Sequence, residues 1–169
     1  MRALLATALL APLLVACGPK DPCEKAAEYE PSIELGVGED DFSPVEDGDV
    51  LWAESGPQGG EHVWISLRSS GLEPGTWPQL LQGDPGPDIY LEYVDLAGTE
   101  TLGTLETYER PFRGDAESAQ LMGERLLIWS WPEDDDGWGR TTSEGILYLT
   151  AEDSCGNVVE DEWALGVER

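Results

Sequence analysis

Positive charge is scarce in this sequence. The 169 residues include nine Lys and Arg against 35 Asp and Glu, a formal net charge of −26 at neutral pH, and the only lysines are Lys20 and Lys25. Proteins hold nucleic acid by neutralising its phosphates with Lys and Arg, so nucleic acid is excluded as a partner. Anionic lipid headgroups are repelled for the same reason. Histidine is nearly absent, with His62 alone. No Gly-x-Ser-x-Gly elbow and no Gly-Lys-Ser/Thr phosphate loop occurs. A Ser-His-Asp hydrolase would have to use His62, and any of 35 acids could serve it. A long apolar run is missing too. The most apolar stretch, residues 3 to 16, is shorter than the roughly 20 residues a helix needs to cross a bilayer. No sustained helical stripe and no internal repeat is present.

What the chain does have begins at its first residues. Met1-Arg2, a run of leucines and alanines, and a small residue at position 16 form the charged start, apolar core and cleavage region of a secretory signal. Leu14-Val15-Ala16-Cys17 resembles the lipobox of bacterial lipoproteins. The resemblance implies that residues 1 to 16 are removed and that Cys17 is acylated, which anchors the chain to a lipid bilayer through its acyl chains. It also implies a place in the cell envelope. Gly18, not aspartate, follows the cysteine, which by resemblance to enterobacterial sorting favours the outer membrane over the inner. Once Cys17 is committed to lipid, Cys23 and Cys155 remain as the pair for a disulfide in an oxidising compartment. That bridge would close a loop of more than 100 residues, worth roughly 4 to 5 kcal/mol in the chain-entropy model.

Without residues 1 to 16, 153 residues remain, the size of one domain. Residues 17 to 31 mix proline, charge and small side chains and read as a lipidated tether, with the folded unit at 32 to 169. Seven tryptophans and five tyrosines supply core material that a disordered acidic chain would lack. From Ser32 the apolar pattern has a period near two, broken by Gly, Pro and Asp clusters, which predicts strands and turns. The expected strands are 33 to 37, 50 to 54, 62 to 68, 89 to 95, 101 to 108, 125 to 131, 146 to 151 and 158 to 167. Asp115 to Met122 alone could form a helical turn or two. In the strand at 62, Val63, Ile65 and Leu67 share one face. Arg125 to Trp131 is apolar on both faces and reads as a central strand covered on each side.

Eight short strands at this spacing predict an all-β, antiparallel sandwich of about seven or eight strands. The stretch Ile146-Leu-Tyr-Leu-Thr-Ala-Glu-Asp-Ser-Cys-Gly-Asn157, followed by an alternating run to Val167, is similar to the last hairpin of bacterial immunoglobulin-like domains. The resemblance implies a split first strand (33 to 37 and 50 to 54) and places Cys23 beside the turn that carries Cys155. It therefore puts that turn near the membrane. The opposite, distal end would carry residues 55 to 61, 96 to 100 and 132 to 139.

Candidate sites are few. Asp134, Asp135 and Asp136, with Glu61 contributing, could supply oxygens to calcium, although the EF-hand register fails because Pro132 would stand at position one and Ser143 at position twelve. Trp138 lies between glycines in the same loop and with Gln58 and His62 could meet a partner. Trp52, Trp129 and Trp163 alternate with apolar residues and read as packing. The expected function is a non-enzymatic binding or structural module of the envelope, without a cofactor, facing an unknown envelope protein or ligand. A calcium-dependent adhesion or stability module and an envelope hydrolase using His62 are the alternatives.

Overall fold

In the computed structural model, residues 21–57, 59–75, 86–107, 110–131 and 141–169 are described. One short helix, α1 (Pro22–Ala26), precedes eleven strands: β1 (Ser32–Val37), β2 (Ser43–Pro44), β3 (Val50–Trp52), β4 (Glu54–Ser55), β5 (Glu61–Ser70), β6 (Asp88–Asp95), β7 (Thr101–Thr107), β8 (Arg113–Gly114), β9 (Ala119–Ile128), β10 (Thr142–Glu152) and β11 (Val158–Glu168). The all-β class is as expected. The expected seven or eight antiparallel strands are instead eleven in a single mixed sheet, curled into a half-barrel, in the order β2-β1-β5-β9-β7-β6-β10-β11-β3. The sheet is mixed because β3 runs parallel to β11, while every other pair is antiparallel. It is continuous because β7 pairs with β6 on one side and touches β9 on the other.

Alternation builds the core. Val63, Ile65 and Leu67 on β5, Leu91 and Tyr93 on β6, Leu126 and Ile128 on β9, Leu147 and Leu149 on β10, and Leu165 and Val167 on β11 all turn inward and are buried. The two ends of the sheet are short: β2 has two residues, one of them Pro44, and β3 has three. Brief edge strands of this kind limit unwanted pairing with other chains.

Three expectations need correction. Residues 115 to 122 do not form a helix. Asp115 holds a turn by accepting the amides of Glu117 (3.1 Å) and Ser118 (3.2 Å), and β9 already begins at Ala119. Ala119 and Leu121 are buried and Gln120 is not, so period-two burial overrides the helical propensity of these residues. Second, Arg125 to Trp131 is covered on its inner face only, since Leu127 and Trp129 on the outer face are about half exposed. Third, part of the segment read as tether is docked. Asp21 caps α1 by accepting the Cys23 amide at 2.9 Å, and Ala26 is completely buried.

Among the described residues Tyr93 is the largest fully buried side chain. Its hydroxyl reaches the carbonyl oxygens of Ser143 at 2.7 Å and Leu165 at 3.2 Å, tying β6 to β10 and β11. Burial pushes its pKa up to about 12, against a smaller lowering by the Ser143 contact. The unfolded phenol ionises near 10. A raised native pKa means that the stabilisation is complete below pH 10 and is lost as pH rises from 10 to 12. We expect alkaline unfolding in that window, with a tyrosinate absorbance step that coincides with loss of β circular dichroism. Tyr93→Phe should reduce the steepness of that transition.

Candidate functional site

The disulfide orients the molecule. Cys23 and Cys155 are bonded, with Cα atoms 5.5 Å apart and a sequence separation of 132. The bridge ties α1 to the β10–β11 turn, where the Asp153 side chain accepts the amides of Cys155 (2.9 Å) and Asn157 (2.8 Å). Strand register then sorts the remaining loops. Glu152 pairs with Asp88, and Thr142 with Glu168, so the β6–β7 turn, the start of β5 and the ends of β3, β9 and β11 lie at the end opposite the bridge.

Three large apolar side chains stand uncovered at that distal end, although Val158 at the disulfide end is exposed as well. Trp52 is 53 % exposed, Trp129 55 % and Leu96 59 %. Two of these correct the expectation that Trp52 and Trp129 pack inward. Trp163 does pack against the core. The reason is position on the pleat: Trp129 continues the outward set of β9 after Arg125 and Leu127, and its indole Nε1 donates to the Thr101 carbonyl at 3.1 Å, which fixes the ring at the rim. Leu96 sits in a turn made rigid by Asp95, whose carboxylate accepts the amides of Thr99 (2.6 Å) and Glu100 (2.9 Å) and the Thr99 hydroxyl (2.9 Å). The Glu100 and Thr99 amides hold this exposed carboxyl below its ordinary pKa. Beside the turn, Val50, Leu96, Gly145, Ala164 and Leu165 help to line a depression of about 190 Å³.

The candidate residues divide as follows. His62 is only 7 % exposed, between Glu54 of β4 and Leu127 of β9 in register. Its ring meets Trp64 edge-on, with centroids 4.8 Å apart, and its Nε2 has no hydrogen-bond partner among the described residues. The neighbouring Glu54 carboxylate accepts the Trp64 indole N–H at 3.2 Å instead. Glu61 is engaged by Arg169 at 3.2 Å, and that guanidinium also lies 4.7 Å over the Trp131 ring. Asp134, Asp135, Asp136, Gln58 and Trp138 lie outside the described residues, as do residues 1 to 20 with Cys17. Among the described residues no group of three or more His, Cys, Asp or Glu is placed to hold a metal, and no helix is long and apolar enough to cross a membrane.

A second feature escaped the sequence altogether. Between β7 and β9 lies a cleft of about 820 Å³, lined among others by Trp64, Leu105, Thr107, Arg110, Glu124 and Arg125. Arg110 pairs with Glu124, whereas the Arg125 guanidinium lies 4.8 Å over the Trp64 ring. Only the pairing of strands distant in sequence creates this cleft, so no local pattern could announce it. The chain matches no protein-family model, and no curated protein or solved structure matches it.

Proposed function

We propose that this chain is a lipid-anchored binding or structural module of the cell envelope that works without catalysis and meets its partner at the end turned away from the bilayer. The observation that carries the reading is the exposure of Trp52, Leu96 and Trp129 at one end, with the disulfide at the other. Exposed aromatics grouped in this way suit a docking surface, because large rigid rings gain contact area at little entropic cost. The lipobox-like residues 14 to 17 supply the anchor. Cys23 lies six positions after Cys17, a reach of at most about 20 Å, so an acylated Cys17 keeps the β10–β11 turn close to the membrane. Gly18 favours the outer membrane.

The finer fold assignment belongs to the same proposal. β1, β5 and β9 on one side, and β6, β10 and β11 with β3 on the other, follow the strand neighbours of an immunoglobulin-like sandwich with a split first strand. We read the half-barrel as a variant in which β7 stitches the two sheets together. Fold alone does not select a partner.

The reading is tested on the full chain expressed in a lipoprotein-processing bacterium. Cys17→Ser should abolish incorporation of labelled palmitate and release the chain from membranes. Trp52→Ser with Trp129→Ser should leave anchoring and melting unchanged but reduce cross-linking to envelope partners at least tenfold. Palmitate incorporation into Cys17→Ser would sink the anchor, and undiminished cross-linking by the tryptophan variant would sink the distal site.

A further inference from the structure

We infer that the cleft between β7 and β9 is a strand-addition site for an extended peptide segment that places one acidic side chain on Arg125. The two strands meet at only two register pairs, Gly103 with Ile128 and Thr104 with Leu127. Gly103 permits that contact, since a Cβ there would stand 2.5 Å from the Leu127 carbonyl oxygen. Continued antiparallel pairing would set Leu105, Glu106 and Thr107 against Leu126, Arg125 and Glu124. The strands separate instead. Leu105, Glu106 and Thr107 pair with β6 on their other side, and Leu121 and Glu124 to Leu126 pair with β5 on theirs. Two backbone edges thus face each other across the cleft without a ladder partner among the described residues.

The cause of the separation lies in β9. Its pairing with β5 slips between Ile65 and Leu67, so that Met122 and Gly123 together oppose Ser66. Such a bulge bends a strand and re-aims it. Gly123 has φ +68°, and a Cβ there would come within 2.7 Å of the Glu39 carbonyl oxygen. Before the bulge β9 pairs with β8, and after it with β7. The gap is therefore built into the fold by a glycine-dependent kink.

Three features specify the occupant. Open β edges are recognised by extended backbone, whose N–H and C=O groups complete the ladder while alternate side chains give selectivity. The cleft also holds an unsatisfied donor: Thr107 is 6 % exposed and its Oγ1 has no hydrogen-bond partner among the described residues. Charge sets the rest. In a chain of net charge −26, Arg125 has no carboxylate partner among the described residues and is held on Trp64 at the cleft. Arg110 stands in the same cleft with its charge spent on Glu124, and Arg113 joins it in the adjoining groove. Guanidinium binds carboxylate through paired N–H donors. Glu39 and Glu106 also line the cleft, so a second acid in the segment is repelled.

The test screens the detergent-solubilised full chain against immobilised hexapeptides that alternate Val or Thr with randomised residues. The expected result is enrichment of peptides with a single Glu or Asp, slowed hydrogen exchange of the amides at 105–107 and 121–126 on binding, and at least a tenfold loss of affinity when alternate peptide nitrogens are methylated. Arg125→Glu, an exposed position that leaves folding intact, should switch the selection from acidic to basic peptides. Peptide binding should survive Trp52→Ser with Trp129→Ser, which separates this site from the distal one. The inference is overturned if no peptide is enriched, if protection falls elsewhere, if Arg125→Glu leaves the selection unchanged, or if the concentrated chain alone protects the same amides, which would assign the cleft to a second copy.

Discussion

Replacing both Cys23 and Cys155 with serine should lower the stability of the domain by about 4 to 5 kcal/mol, the largest effect we expect from any change at the α1 end of the sheet. The bridge spans 132 residues of sequence, and in the chain-entropy model a loop of this size restricts the unfolded ensemble more than any local contact does. At two to four degrees per kcal/mol for a domain of this length, the melting temperature should fall by roughly 8 to 20 °C. Urea unfolding of the oxidised and double-serine forms measures the difference directly, and a loss below about 1 kcal/mol would show that the unfolded chain is constrained by something other than the bridge. A second consequence is geometric. If Cys17 is acylated as proposed, the bridge limits the chain between the bilayer and the folded body to the residues between Cys17 and Cys23, about 20 Å at full extension. Without it, α1 and the residues after it are held by the burial of Ala26 and by the Tyr29 hydroxyl, which donates to the Glu117 carboxylate at 3.4 Å. If these contacts open as well, the chain from Cys17 to Ser32 reaches about 50 Å. On the proposed acylation of Cys17, loss of the disulfide should therefore free the orientation of the distal end as well as weaken the fold.

How far such features are legible in sequence depends on whether their cause is local. The β5 pattern is local: Val63, Ile65 and Leu67 alternate with less apolar neighbours and are buried as expected. The β10–β11 hairpin is local too, with Asp153, Gly156 and Asn157 in its turn. The cysteine pairing follows once Cys17 is set aside. By contrast, whether Trp52 and Trp129 point inward is decided by register against Glu168 and by the outward set of β9, neither of which a single strand encodes. The same holds for the cover over Arg125 to Trp131, which fails because no second layer reaches that face. The start of β9 was hidden because Ala119, Gln120, Leu121 and Met122 favour a helix in isolation, and only the pairing with β5 makes them a strand. The cleft is the extreme case. It depends on a bulge at Gly123, on Gly103 at the seam and on β7 serving two neighbours at once, and each of these is a relation between distant segments. The same distance in sequence hides the acceptor set of Asp153, whose donors include an amide in another loop.

Asp153→Ala should cost about 3 kcal/mol, a loss large for a turn residue because its carboxylate satisfies four donors at once. Oδ1 accepts the amides of Cys155 (2.9 Å) and Asn157 (2.8 Å), while Oδ2 accepts the Glu73 amide (2.7 Å) and the Asn157 side-chain nitrogen (2.9 Å). Asp153 is 5 % exposed, and the Glu73 amide comes from a segment 80 residues away. Hydrogen bonds to a charged acceptor contribute roughly 1.5 to 3 kcal/mol each, and orphaned buried donors add a desolvation penalty, although such terms do not sum. Alanine removes all four bonds. Asparagine keeps one acceptor oxygen but turns an amide donor toward the remaining N–H groups, so Asp153→Asn should recover less than half of the loss. The carboxylate and the disulfide hold the same turn, one through hydrogen bonds and the other through the chain, and this makes their coupling measurable. If Asp153 sets the position from which Cys155 reaches Cys23, part of its contribution is realised only while the bridge is intact. Asp153→Ala should then cost less in the Cys23→Ser, Cys155→Ser background, by more than 0.5 kcal/mol in a double-mutant cycle. Additivity within that limit would mean that the turn forms the same way without the bridge, and that the disulfide acts on the unfolded chain alone.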